Sequence, residues 1–404
     1  MYSILRGMRV VECASFIAAP SCALYLRQLG ADVIRIDPIG GGMDFRRWPV
    51  TQDGSSLYWE GLQKGKRSVA IDLSQEDGRQ LARRLITAPG PDAGLFVTNY
   101  PAGGTFSHTD LCKFRSDLIT IRVLGWRDGS PGVDYTVNAA IGVPYMTGPE
   151  ESVDPINHVL PAWDLLTGSY AAFALMAAER HRFRAGIGQE VMVPLSDVAL
   201  TALANMGQVG EVLTAGDRPR AGNALFGAFG RDFRTADDEL VMVVAITSRQ
   251  WNGLVTALGL RDAVETIELS LGVSFAEDEG NRFAYRDALF PCFAEVISTF
   301  SIEELRKRFD LHGVLWSRYQ TLLTALTEDS RFRPEAPLFS VLDHPSGLSY
   351  PAPGAAATFK HVERNSVVRA PHLGEHTDQV LSEVLSLSDT EIGRLHDARI
   401  VAAA

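Results

Sequence analysis

The stretch from Met8 to Asp37 constrains the fold more than any other. An apolar run, MRVVECA, leads into a helical segment, APSCALYLRQLG, and then into a second apolar run, ADVIRID. β-Branched residues at both ends and a helix-length middle stopped by Gly30 predict one βαβ unit. Strands joined by a crossover helix lie parallel, and a parallel sheet needs cover on both faces. The alternation continues through RSVAIDL from Arg67, the helix EDGRQLARRLI, AGLFVTN from Ala93, LITIRVLG from Leu118, the Ala-rich helix LLTGSYAAFALMAAERHRF, and EVMVPLS from Glu190. An α/β fold with a mostly parallel sheet follows.

Composition shifts to Gly, Arg and Phe in DRPRAGNALFGAFGRDF (Asp217 to Phe233), ahead of the strand ELVMVVAI and helical segments to about Leu326. This reads as a second, smaller α/β domain. The tail from Ala336 is rich in Pro and Gly, and a capping box places a helix start at Ser388 to Glu391. The expected division is residues 1–200, then 201–330 for the small domain, then 331–404.

Several functions are disfavoured. Asp37 ends the second strand where a dinucleotide fold keeps its ribose-binding acid, but the turn SFIAAP lacks the G-x-G-x-x-G that admits a pyrophosphate. A net charge of -11 argues against nucleic acid as a partner. The four cysteines, Cys13, Cys22, Cys112 and Cys292, form neither a C-x-x-C nor a metal-ligand pattern, so no metal site and no disulfide framework is expected. The start has no signal-peptide core and no apolar run reaches membrane-spanning length, so a cytoplasmic protein away from membranes is expected.

One acid draws attention. In HVLPAWDLLTGSY, Asp164 stands where an extended segment enters the long Ala-rich helix. An Asp there is ordinarily a helix cap. A partly desolvated carboxylate is also a nucleophile toward a thioester.

Six segments carry a resemblance that decides between those readings: LGADVIRIDPIGGG, GLQKGKRSVAIDL, VTNYPAG, the Asp164 segment, GIGQEVMVPLSDV and PHLGEHTDQVLSEV. Together they resemble the family III CoA-transferases, the CaiB/BaiF superfamily that includes formyl-CoA transferase, nearly from end to end. The resemblance implies a Rossmann-like large domain built from both chain ends, a small domain between, and two chains interlinked like rings in a homodimer. It implies that Asp164 is the catalytic nucleophile. Coenzyme A would enter as part of the substrate, with no further cofactor.

It also implies that Gln63, Lys64, Gly65, Lys66 and Arg67 bind CoA, that Asn99 and Tyr100 flank its chain, and that Phe16 and Ile17 lie on its adenine side. Where formyl-CoA transferase has a Gln and an Arg, this chain has Ile17 and Pro38, so those two contacts do not carry over. A run of glycines that closes over the acyl group in formyl-CoA transferase is replaced by GNALFGAFGRDF, with Phe226, Phe229 and Arg231. A fuller pocket suits an acid that never leaves. The narrower resemblance of DPIGGG, FGAFGRDF and HVLPAWD implies transfer of CoA between the two carboxyls of a methyl-branched C4 dicarboxylate, mesaconyl-CoA, with Arg46, Arg47 and Arg231 as candidates for the free carboxylate. The alternatives are intermolecular transfer from a dicarboxylyl-CoA such as succinyl-CoA, and an α-methylacyl-CoA racemase. The latter needs a histidine near Asp164, and upstream of His158 only His108 is available.

Overall fold

The computed structural model describes residues 1–332 and 338–404. The start of the Pro/Gly-rich tail at Ala336 lies outside the described residues. The chain divides into two compact units: one holds Met1–Ile141, His158–Leu213 and Ser330–Ala404, the other Gly142–Asn157 and Thr214–Asp329.

The first unit is built on a seven-stranded sheet. Its parallel strands are β1 (Arg9–Cys13), β2 (Asp32–Asp37), β3 (Arg67–Ile71), β4 (Leu95–Thr98), β5 (Ile119–Leu124) and β6 (Gln189–Pro194), in spatial order 3-2-1-4-5-6. The C-terminal strand Val401–Ala402 adds antiparallel to β3. The order reverses between β1 and β4, where Cys13 pairs with Thr98, and a crevice opens at such a switch point beyond the carboxyl ends of the strands. Helix α1 (Ala18–Gln28) follows β1, α2 (Leu57–Leu62) precedes β3, and α3 (Glu76–Ile86) leads toward β4.

The long helix Ala162–Ala185 packs on α1. It buries Thr167, Gly168, Ala171, Leu175, Ala178 and Arg182 on one stripe, whose small residues allow a close approach. A Cβ at Gly168 would meet the Ala18 carbonyl oxygen at 2.7 Å and Ser21 Cβ at 2.8 Å, so only glycine fits. The C-terminal segment buttresses β3: Gly374 N–H donates to Ser68 Oγ at 2.9 Å, and Ala70 N–H to Thr377 Oγ1 at 3.1 Å. PHLGEHTD is thus part of the frame.

The second unit holds an antiparallel sheet of β7 (Phe229–Arg234), β8 (Leu240–Ala245) and β9 (Leu315–Arg318). Helices Ser248–Leu258, Arg286–Ile297 and Ile302–His312 cover a core of Phe229, Phe233, Trp251, Phe275, Phe293 and Phe309. The segment FGRDF is a strand because β8 supplies its ladder. β9 stands among what reads from the sequence as helical segments. In the first unit a hairpin of β10 (Phe339–Asp343) and β11 (Ser349–Pro353) precedes the C-terminal segment. Among the described residues no helix is long and apolar enough to cross a membrane, and no group of His, Cys, Asp and Glu is placed to hold a metal ion.

Candidate active site

Asp164 lies in the first turn of the Ala162–Ala185 helix without capping it. The N-cap is Pro161, which offers no side-chain hydrogen bond. Asp134, at the start of helix Asp134–Ala140, caps from outside instead. Its Oδ2 accepts the Trp163 N–H at 2.7 Å and the Asp164 N–H at 3.1 Å. The Asp164 carboxylate is therefore left over for other work. Burial pushes its pKa up to about 7; the nearby Asp134 carboxylate adds to the rise, while Arg47 and the Ala18 backbone N–H pull it down. A carboxylate that is more basic and less hydrated than usual is a better nucleophile.

The Ala18 amide comes from the first turn of α1, so Asp164 faces the positive end of a second helix. A buried ionic cluster sets that turn. Arg35 on β2 binds Glu12, Asp37 and Asp44, all four being at most 3% exposed. Asp44 Oδ1 in turn accepts the Phe16 N–H at 2.8 Å, and Phe16 has a left-handed backbone with φ of 69°. Such a conformation in a bulky residue is costly and persists only where its surroundings enforce it. Asn99 braces the same loop from β4, accepting the Ser15 N–H at 3.2 Å and donating to the Ser15 carbonyl at 3.0 Å. Phe16, Ile17, Asn99 and Tyr100 thus all stand at the switch point between β1 and β4.

Arg47 completes the polar surroundings. Its guanidinium lies 5.3 Å from the Phe16 ring centroid and 5.4 Å from that of Tyr58. Its backbone carbonyl accepts from Ser56 Oγ, the cap of α2, at 2.6 Å. No ion-pair partner for it stands among the described residues. The Tyr58 hydroxyl is buried with no hydrogen-bond partner among the described residues. Burial, with the Asp44 and Asp164 carboxylates, raises its pKa, so it stays protonated as a donor. Arg46 is exposed beside it in sequence.

In the run Gln63 to Arg67 the structure corrects the expectation for the side chains of the three cations. Lys66 is 1% exposed, and its Nζ donates to Glu12 Oε2 at 2.7 Å, Gln63 Oε1 at 2.7 Å and the Pro20 carbonyl at 2.9 Å. An ammonium has three donors, and all are used. Arg67 pairs with Asp32 on β2 and with Glu383. Lys64 is buried against the Gly61 carbonyl, and burial followed by repulsion from Lys66 pushes its pKa down to about 8. Gly65, with φ of 70°, makes the turn, and its N–H donates to the Arg369 carbonyl at 2.9 Å. These cations hold the fold together and are not a free phosphate cradle. The acids that bind them lie on other strands, which local sequence does not disclose.

Phe229 is a second correction. It is fully buried, with the rings of Trp251, Phe290 and Phe293 4.7 to 5.5 Å away, and is a core residue of the second unit. Phe226 is 41% exposed and stands between Phe283 and the Arg218 guanidinium. Arg231 lies over Phe290 and borders two cavities of the second unit, of about 470 and 390 Å³. His108 is engaged elsewhere, Nδ1 with Thr120 Oγ1 at 2.9 Å and Nε2 with Cys112 Sγ at 3.3 Å. Sequence reasoning missed Asp44, Tyr58, Asp134 and His158, none of which carries a local signal.

Comparison with known proteins gives one answer at three levels. The model of CoA-transferase family III matches residues 5–377. The 2-methylfumaryl-CoA isomerase of Chloroflexus aurantiacus is 48% identical over 404 residues, covering 100% of this chain and 98% of that one. The succinate–glutarate CoA-transferase of Agrobacterium fabrum is 28% identical, over 96% of this chain and 97% of its own. Among solved structures, a CaiB/BaiF family protein from Brucella suis superposes with a TM-score of 0.75 at 25% identity, over 95% of this chain and 100% of that one. A Mycobacterium tuberculosis protein superposes with a TM-score of 0.76 at 23% identity, over 95% of this chain and 99% of its own.

Proposed function

The chain belongs to CoA-transferase family III, and we propose that it moves CoA between the two carboxyls of 2-methylfumarate (mesaconate), with Asp164 as the nucleophile. The observation that carries the chemistry is a half-buried carboxylate, raised to about 7, beside an arginine that has no ion-pair partner among the described residues. The identity to an isomerase over the whole chain supports the intramolecular form over transfer to a second acid, where relatives are more distant. A racemase reading gains nothing from His108.

The Asp164 carboxylate attacks the thioester carbonyl, the C–S bond breaks, and CoA leaves as the thiolate. A mixed anhydride of Asp164 and the acyl group remains. The thiolate then attacks the aspartyl carbonyl of the anhydride, giving an aspartyl-CoA thioester and the free dicarboxylate. After the acid turns over, its other carboxylate attacks the aspartyl-CoA carbonyl and expels thiolate again. Thiolate attack on the acyl carbonyl releases the isomeric thioester and restores Asp164. Each step exchanges one acyl bond for another, so the thioester energy is kept and no ATP is consumed. Both acyl-enzymes hydrolyse if water reaches them, which favours a closed site.

Arg47, over the Phe16 and Tyr58 rings, is proposed to bind the carboxylate not under attack by a two-point contact. The Tyr58 hydroxyl is proposed as a donor to substrate oxygen. Phe16, Ile17, Asn99 and Tyr100 are proposed to line the path of CoA at the β1–β4 switch point, with the first unit as the CoA-binding domain. A homodimer is proposed to cover the exposed side of the Ala162–Ala185 helix, where Tyr170, Phe173 and Phe183 are 52%, 67% and 78% exposed. The direct test is to incubate the protein with one mesaconyl-CoA regioisomer and no added acid, then separate the two isomers by chromatography. Appearance of the second isomer is expected; a single unchanged ester overturns the proposal.

A further inference from the structure

His158 is absent from the mechanism above, yet it is joined to the nucleophile through one carboxylate. Its Nε2 lies 2.8 Å from Asp134 Oδ1, and the other oxygen of Asp134 receives the Trp163 and Asp164 amides. Asp134 is 1% exposed, so its two oxygens have these partners in place of water. The imidazole is 5.9 Å, near edge-on, from the Tyr135 ring and 6.2 Å from the Trp163 ring. Trp163 is itself fixed by a 2.9 Å bond from Nε1 to Asn138 Oδ1. The histidine is thus held against the residue preceding the nucleophile and against the carboxylate that caps the nucleophile's helix.

We propose that His158 is a positioning residue for Asp164: through Asp134 it fixes the first turn of the Ala162–Ala185 helix and offsets the negative charge that Asp134 presents to the nucleophile. A helix whose own N-cap is proline depends on an outside acceptor for its first amides, and a lone buried carboxylate in that role is costly without a counter-donor. The groups facing Asp164 are Asp134, Arg47, the Tyr58 hydroxyl and the Ala18 amide; those facing His158 are Asp134, Tyr135 and Trp163. Of the groups facing His158, Asp134 alone links it to the nucleophile by hydrogen bonds, whereas Trp163 offers only a ring contact, so the double variant with Asp134 separates the two routes.

The inference rests on Asp164 being the nucleophile. Three variants test it: His158→Gln, which keeps an uncharged donor; His158→Phe, which removes the donor; and Asp134→Asn. His158→Gln is expected to keep KM within about twofold and to match the wild-type kcat above pH 9. Its acid limb should move to higher pH, because an amide donates to Asp134 less strongly than the imidazole and offsets less of its charge. His158→Phe is expected to lower kcat about tenfold with little change in KM, and to add almost nothing in the Asp134→Asn background. An unmoved acid limb in His158→Gln, or full additivity of the two losses, overturns the inference. If His158→Phe does not fold, the His158→Gln limb alone decides. An active Asp164→Ala enzyme overturns the nucleophile reading itself, which separates the two failures.

Discussion

Gly168 and Ala18 approach so closely that a Cβ on the glycine would stand 2.7 Å from the Ala18 carbonyl oxygen. The same Ala18 presents its N–H to the Asp164 carboxylate, one turn before Gly168 on the facing helix. Packing and chemistry therefore share one contact. Gly168→Ala is expected to force the helices apart, costing about 1–3 kcal/mol in stability and at least about tenfold in kcat. Gly61→Ala is the control, since its Cβ meets nothing within 4 Å and it sits inside α2, so stability is expected to hold or rise by up to about 1 kcal/mol. Urea unfolding beside turnover reads both; a Gly168→Ala enzyme with wild-type kcat would separate packing from catalysis.

Asp164 gives opposite signs for rate and stability. Its folded pKa, about 7, lies above the ordinary carboxylate range, so the fold favours the protonated form. That stabilisation is full below about pH 4 and is lost as pH rises through about 7. Asp164→Asn should thus be more stable than wild type at pH 8, with the difference shrinking toward pH 4. Turnover should fall by at least about three orders of magnitude in the same variant. In the wild type, kcat/KM should climb with pH to a midpoint near 7. A variant less stable at pH 8 that keeps its activity would make Asp164 a structural residue.

Much of the frame is legible in the sequence because it is local. The helix over Glu76–Ile86 is bounded by acids in its first turn and arginines in its last, and the six parallel strands fall within two residues of their apolar runs. Strand β7 is not legible, since glycine and arginine in FGRDF read as loop until β8 pairs with it. Asp164 is legible only by resemblance. Its surroundings are assembled from residues 18, 47, 58 and 134, which no window of sequence brings together. The run QKGKR looks like a phosphate site for the same reason in reverse, because Glu12 and Asp32, which bind its cations, lie on other strands.

Lys66 offers a test of that correction. Lys66→Met strips Glu12, Gln63 and the Pro20 carbonyl of one shared donor and leaves Arg35 to balance three buried acids. A cost of about 3–5 kcal/mol in urea unfolding is expected. Folded protein of wild-type stability with a raised KM for the thioester would return Lys66 to CoA binding.

Arg47 should act on substrate and leave the fold alone. Arg47→Leu is expected to unfold at the wild-type urea midpoint while kcat/KM for a dicarboxylyl-CoA falls by about two orders of magnitude, roughly the loss of a charge-assisted pair. Arg47→Lys should recover little, because a point charge neither stacks between Phe16 and Tyr58 nor makes a two-point contact. Equal losses with an acyl-CoA that lacks a free carboxylate would show that Arg47 serves the nucleophile and not recognition.

Retention of the acid is the step that distinguishes an isomerase from an ordinary transferase, and it has a direct readout. After the thiolate attacks the anhydride, the free dicarboxylate either turns over in place or escapes. A held acid recombines at high effective concentration, whereas an escaped acid competes with any pool in solution. Isotope-labelled free mesaconate added during isomerisation should therefore stay out of the ester while the two esters equilibrate. Phe229 does not bear on this, being a core residue whose replacement by alanine should cost about 3–5 kcal/mol in stability. Arg47 does: if it holds the carboxylate during turnover, Arg47→Leu should admit label into the ester even as the rate falls. Rapid label uptake by the unmutated enzyme would assign it to intermolecular transfer.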